Sequence, residues 1–143
     1  MDIELATTAQ QRKACIPVMR ELRTHLDEQT LAVQIERQYN KGYLLAYVRD
    51  GESVVAVAGF RKSENLAWGK FLYVDDLVTS EASRSKGYGQ KLLSWMETYA
   101  AKEGCSQIHL DSGMQRESAH RFYQREGMIR AGYHFSKTLL PNK

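Results

Sequence analysis

Residues 71–103 constrain this chain more than any other stretch. Phe71 to Thr79 is rich in aromatic and branched side chains, as a strand requires. The chain then passes through Arg84-Ser85-Lys86-Gly87-Tyr88-Gly89 straight into a helical pattern. Leu92, Leu93, Met96, Tyr99 and Ala100 return at helical spacing between Gly87 and Glu103, and Gly104 ends the run. Strands and helices that alternate along a chain in this way, with one hairpin, point to an α/β fold.

The remaining elements fit that frame. Ile3, Leu5 and Thr7 alternate as in a short strand. Thr8 can cap a helix running to about Arg23, with Pro17 placed to kink or split it. Asp27 or Thr30 can cap a second helix carrying Leu31, Ile35 and Tyr39 on one face, ended by Lys41-Gly42. Tyr43 to Arg49 and Ser53 to Arg61 flank Asp50-Gly51, a hairpin signal, and Lys62 to Asn65 reads as a polar turn. Asp75-Asp76 interrupts the alternation of the next strand, which marks either a bulge or a site. Gln107 to Asp111 reads as a strand and Arg116 to Glu126 as a helix closed by Gly127. Met128 to Leu140 reads as one or two final strands. The expectation is one domain over residues 1–143, with a central mixed, mostly antiparallel sheet of six to seven strands and about four helices.

Composition removes several classes of function. The formal net charge of +3 is too small to indicate nucleic-acid binding. The charge is uneven, however: from Gln115 to Lys143 there are six basic residues and two acidic ones, a solvated face or one that meets an anion. Cys15 and Cys105 have no metal-ligand spacing and sit beside apolar residues, so two buried free thiols and no metal are expected. The longest strongly apolar run, Val54 to Phe60, is far short of the ~20 residues that span a bilayer. The opening Met-Asp-Ile-Glu-Leu has no basic-then-apolar pattern, so a cytoplasmic protein without a membrane partner is expected.

The chemistry lies in the strand-to-helix junction. Gly87 and Gly89 remove side chains where the backbone turns into the helix, leaving successive N–H groups facing outward. A helix start with free N–H groups attracts anions through those donors and the helix dipole. Arg84, Ser85 and Lys86 add charge and hydrogen bonds beside it, and the fitting ligand is a phosphate or pyrophosphate. No Gly-Lys-Ser/Thr follows and there is no third glycine, so this is neither a P-loop nor a dinucleotide fingerprint.

Arg84-x-x-Gly87-x-Gly89 resembles the pyrophosphate loop of the GNAT superfamily of N-acetyltransferases. About thirty residues on, Arg116-x-x-Ala119-x-x-Phe122-Tyr123-x-x-x-Gly127-Met128 is similar to the superfamily's Asn-x-x-Ala-x-x-Phe-Tyr-x-x-x-Gly-Phe segment. Ala119 to Tyr123 and Phe135 to Leu139 echo the aminoalkylphosphonate N-acetyltransferase branch. Arg116 and Met128 depart from the pattern, where Asn and Phe are usual.

The resemblance implies acetyl transfer from acetyl-CoA to a primary amine of a small molecule, by direct attack in a ternary complex. By it, Ser85, Lys86, Gly87, Tyr88, Gly89 and Gln90 hold the pyrophosphate, with Arg84 beside them and Arg116 in the place of the usual Asn. Leu77, Val78 and Thr79 pair with the pantetheine arm, and an N–H near Leu77 faces the thioester oxygen. Tyr123 is the general acid, and Asp76 is the better of the two carboxylates for the amine. The same resemblance is compatible with a homodimer. Three alternatives stay open: a CoA-binding regulatory module, an enzyme acting on a protein or peptide amine, and a generic nucleotide-phosphate binder.

Overall fold

The computed structural model describes residues 3–140. The elements run β1 (Ile3–Leu5), α1 (Ala9–Ala14), α2 (Ile16–Leu22), α3 (Glu28–Tyr39), β2 (Leu44–Asp50), β3 (Ser53–Asn65), β4 (Gly69–Thr79), a 3₁₀ turn (Glu81–Ser83), α4 (Tyr88–Lys102), β5 (Gln107–Leu110) and α5 (Glu117–Arg125). The chain forms two compact units, one through Leu110 and one from Asp111.

The first helix is divided, and this raises the helix count from about four to five. Thr8 caps α1 in a reciprocal box with Gln11, and Pro17 sits in the first turn of α2, where its missing N–H costs nothing. Asp27 caps α3, accepting from Thr30 N at 2.7 Å. Arg12 is buried and ties α1 to α3 through Glu36 at 2.7 Å, with its guanidinium 3.6 Å from the centre of the Tyr39 ring.

In the first unit the strands follow one another in the order β1-β2-β3-β4-β5, antiparallel except for the parallel β4–β5 pair. Both faces of the sheet are covered, which explains why Leu45 to Val48 is a continuous buried run. Leu45, Tyr47, Val57 and Val78 join Cys15, Ile16, Met19, Leu31 and Ile35 in one core cluster. Leu92, Leu93 and Met96 of α4 are fully buried, and Phe60 meets Trp95 and Tyr99 edge-on at 6.0 and 5.5 Å. Each such fully buried large side chain contributes roughly 1.5–3 kcal/mol.

Four expectations are corrected. Among the described residues the sheet has five strands, not six to seven. No strand forms over 128–140, and Ile129, Tyr133, Phe135 and Leu139 are exposed. Their alternation is strand-like, but a strand needs a hydrogen-bonded neighbour, and the second unit has none among its described residues. Lys62 to Asn65 is not a turn either, because β3 continues to Asn65 opposite Gly69. Backbone pairing is indifferent to polar side chains that point into solvent, and the turn comes later, where Asn65 Oδ1 accepts from Trp68 N at 2.7 Å. Cys15 is buried, and burial pushes its thiol up to about 12, whereas Cys105 is only half-buried.

Candidate functional site

Two features of β4 create the site. The first is a bulge. Gly59 lies opposite Asp76 while Phe60 lies opposite Val74, so Asp75 is the extra residue. The bulge reading of Asp75-Asp76 therefore holds, and it brings the two carboxylates next to each other on β4. The second is an open edge. Pairing with β5 stops at Val74, while β4 runs on to Thr79 bonded to β3 alone within this unit. Successive N–H groups of a strand alternate sides, so part of Asp76–Thr79 faces away from β3 with its donors unpaired.

Beyond β4 the chain makes the 3₁₀ turn and enters α4. Gly87 is the N-cap at φ 81°, in the left-handed region where a glycine costs nothing. Ser85 shares that region at φ 69° without being a glycine, the strained backbone often found at functional loops. The first backbone bond of the helix is Lys91 N to Gly87 O. Among the described residues, the N–H groups of Ser85, Lys86, Gly87, Tyr88, Gly89 and Gln90 reach no acceptor. The side chains of Arg84, Ser85, Lys86 and Gln90 are exposed around them. Tyr88 differs: its ring is buried and its hydroxyl donates to Asp50 Oδ2 at 3.4 Å, so its side chain anchors the helix start and only its N–H faces outward.

The carboxylates sit in a web of side chains. Arg61 grips Asp75 with two bonds of 2.7 and 2.9 Å. Arg23 Nε donates to Asp76 Oδ1 at 2.8 Å, and Tyr43 donates to Asp76 Oδ2 at 2.5 Å. Asp76 is the more enclosed carboxylate, its side chain 11% exposed against 26% for Asp75. A cavity of about 590 Å³ opens beside them, lined by His25, Gln34, Gln38 and Lys41 as well as the arginines and carboxylates. It therefore offers both signs of charge.

Tyr123 and Arg116 belong to the second unit. Arg116 is the N-cap of α5 and makes no side-chain cap bond. Tyr123 lies on α5, with its ring 5.3 Å from that of Phe122. Burial pushes its phenol above the ordinary value, against the opposing pull of Arg116. His120 donates from Nε2 to the Gly113 carbonyl at 2.8 Å, which ties α5 to the loop before it.

The sequence model of the Acetyltransferase (GNAT) family matches residues 9–128, which cover most of the first unit, reach into the second and include both the Arg84–Gly89 loop and the Arg116–Met128 segment, though not Phe135 to Leu139. The chain belongs to the GNAT acetyltransferase family. This GNAT chain is 37% identical over 123 residues to the Bacillus subtilis (strain 168) protein described as uncharacterized N-acetyltransferase YhdJ, covering 85% of the chain and 87% of that protein. It is 33% identical over 101 residues to the aminoalkylphosphonate N-acetyltransferase of Salmonella typhimurium, covering 70% of the chain and 64% of that protein. The crystal structure of the ribosomal-protein-alanine N-acetyltransferase of Brucella melitensis biovar Abortus superposes with a TM-score of 0.82 at 14% identity, over 97% of this chain and 100% of that one, a likeness of fold alone.

Sequence reasoning missed Arg23, Tyr43, Gly59 and Arg61. Arg23 and Tyr43 meet Asp76 from 53 and 33 positions away, and no local pattern marks such partners. Gly59 did carry a signal, since an isolated glycine inside a strand often marks a close approach.

Proposed function

We propose that this GNAT chain transfers the acetyl group of acetyl-CoA to the primary amine of a small molecule, by direct attack in a ternary complex. The observation that carries the reading is the row of unpaired N–H groups from Ser85 to Gln90, immediately after the open edge of β4. Such a row suits a pyrophosphate, and an open strand edge suits an extended amide-bearing arm. The family match across both units supports treating residues 1–143 as one acetyltransferase domain.

The residues take these roles. Leu77, Val78 and Thr79 receive the pantetheine arm as an added strand, and an N–H near Leu77 stabilises the oxyanion that develops on the thioester carbonyl. Arg84 and Lys86 add positive charge at the phosphates, and Arg116 supplies a further cation. Asp76 faces the amine and draws off its proton through water as the C–N bond forms. Tyr123 gives its proton to the sulfur as the C–S bond breaks. The raised phenol keeps that proton at neutral pH until it is needed.

The cavity beside β4 receives the acceptor. Its arginines already neutralise Asp75 and Asp76, and Lys41 and His25 add further basic groups. An amine that also bears an anionic group fits this balance, as does the substrate named for the 33%-identical relative. No helix among the described residues is long and apolar enough to cross a membrane, and we place the reaction in the cytoplasm.

The test is a titration of the protein with acetyl-CoA, CoA, ATP and NAD, followed by thiol release from acetyl-CoA against a panel of amines. Stabilisation by the two coenzyme A species and thiol release with an amine are expected. Equal stabilisation by all four ligands, without thiol release, would replace the enzyme with a nucleotide-phosphate binder.

A further inference from the structure

The C-terminal end of α2 holds both ends of the open-edged β4 segment Leu77–Thr79. Arg23 Nε donates to Asp76 Oδ1, and its Nη2 donates to the Asp75 carbonyl, both at 2.8 Å, just before Leu77. Glu21, two residues earlier, accepts at Oε1 from the backbone N–H of Glu81 at 2.8 Å, just after Thr79 and Ser80. Leu77–Thr79 thus lies between two grips from one helix end.

The Glu21 bond is the less expected of the two. The turn at Glu81–Ser83 has no local cap, since the Ser80 side chain makes no cap bond. Glu21 reaches the N–H of the turn's first residue from 60 positions away and gives this otherwise free donor an acceptor. Three residues beyond Glu81 comes Arg84, and then the unpaired N–H groups. Glu21 is exposed, so bulk stability gains little from it. Its negative charge, near a cradle for anions, would by itself weaken phosphate binding. What the carboxylate contributes is therefore the bond to Glu81 N–H, which sets the direction in which the chain leaves β4.

We propose that Glu21 is a positioning residue for the coenzyme. It fixes where the chain leaves β4, and so aims Arg84–Gln90 at the phosphates. This rests on the acetyl-CoA reading above. Charge and position predict opposite effects, which makes the role separable. Glu21→Gln keeps an acceptor oxygen and loses the charge, so it should bind acetyl-CoA as well as the parent or better. Glu21→Ala loses the bond as well, and the Kd for acetyl-CoA should rise by about three- to tenfold.

A second variant removes the donor instead. Proline has no N–H and is tolerated at the first position of a helical turn, and Ser80 already has the extended backbone that suits a following proline, φ −58° and ψ 145°. Glu81→Pro should weaken coenzyme binding like Glu21→Ala, and the double variant should be no worse than either single one. Calorimetry with acetyl-CoA on the full chain gives the Kd. Thiol release gives the KM for each substrate, and thermal unfolding gives the Tm. The expected pattern is a raised Kd and KM for acetyl-CoA in Glu21→Ala, with the amine KM and the Tm unchanged. Equal binding by Glu21→Ala and Glu21→Gln would overturn the proposal, as would additive losses in the double variant. If the parent protein binds no acetyl-CoA, the enzyme reading itself falls and takes this one with it. That outcome is distinct from a parent that binds and an alanine variant that binds equally.

Discussion

The hydroxyl of Tyr43 donates a 2.5 Å hydrogen bond to Asp76 Oδ2 across the space left by Gly59. Tyr43 is 3% exposed, so this phenol has no water to fall back on. Arg23 holds the other oxygen of the same carboxylate. The orientation of Asp76 is therefore set from two sides.

The glycine is the first thing to test. A Cβ at position 59 would overlap the Tyr43 hydroxyl and lie 2.8 Å from Asp76 Oδ2. Gly59→Ala should therefore expel the phenol and unseat the carboxylate. The combined overpacking and lost hydrogen bond should cost about 2–4 kcal/mol in urea unfolding. The amine KM should rise with it. Unchanged stability would show that the strand has room to spare at this position.

Tyr43 should also shape the alkaline limb of stability. Burial first, and then the neighbouring Asp76, hold its phenol well above the ordinary value of 10.0. The folded protein thus binds this proton more tightly than the unfolded chain. The resulting stability is complete below about pH 10 and is lost as pH rises toward the folded value. Tyr43→Phe should be less stable at pH 7 by about 1–3 kcal/mol, because Asp76 loses a donor. Its stability should then fall less steeply between pH 10 and 11 than that of the parent. Parallel curves in that range would remove Tyr43 as the cause.

Gly89 tests the phosphate cradle. It lies in the first turn of α4, where a side chain would stand among the unpaired N–H groups. Valine is no poorer a helix former than glycine, so Gly89→Val should keep the fold. Its acetyl-CoA affinity should drop at least about tenfold by calorimetry. In the parent, affinity should also weaken with salt, since Arg84 and Lys86 are exposed charges screened within about 8–10 Å. Unchanged affinity in the variant would place the phosphates elsewhere.

Tyr123 separates an enzyme from a binding module. Tyr123→Phe removes only the hydroxyl and keeps the ring packed beside Phe122. Acetyl-CoA affinity should survive, while kcat for the best amine should fall by roughly 10²- to 10⁴-fold. Binding and rate that fall together would make Tyr123 a packing residue. No change in either would assign the proton to water or to another group.

Patterns that close within a few residues were readable without a structure. The capping of α1 by Thr8 and of α3 by one of two candidates, of which the structure selects Asp27 over Thr30, the division of the first helix near Pro17, the hairpin at Asp50-Gly51 and the glycine entry to α4 all follow from local sterics and hydrogen bonding. So did the family, because Arg84-x-x-Gly87-x-Gly89 and the Phe122-Tyr123 segment are contiguous strings. Only tertiary structure decided what those strings are set against. Alternation in 129–140 resembles a strand, yet a strand exists only where another backbone lies beside it, and residues 129–140 do not contain that information. Asp75-Asp76 showed that something interrupts β4 but not what faces it. Arg61, Arg23 and Tyr43 come from β3, the end of α2 and the start of β2, and they meet the carboxylates only once the sheet and its helices have packed. The charge and reach of each side chain are fixed by its residue type, whereas its partner is chosen by the path of the chain between them.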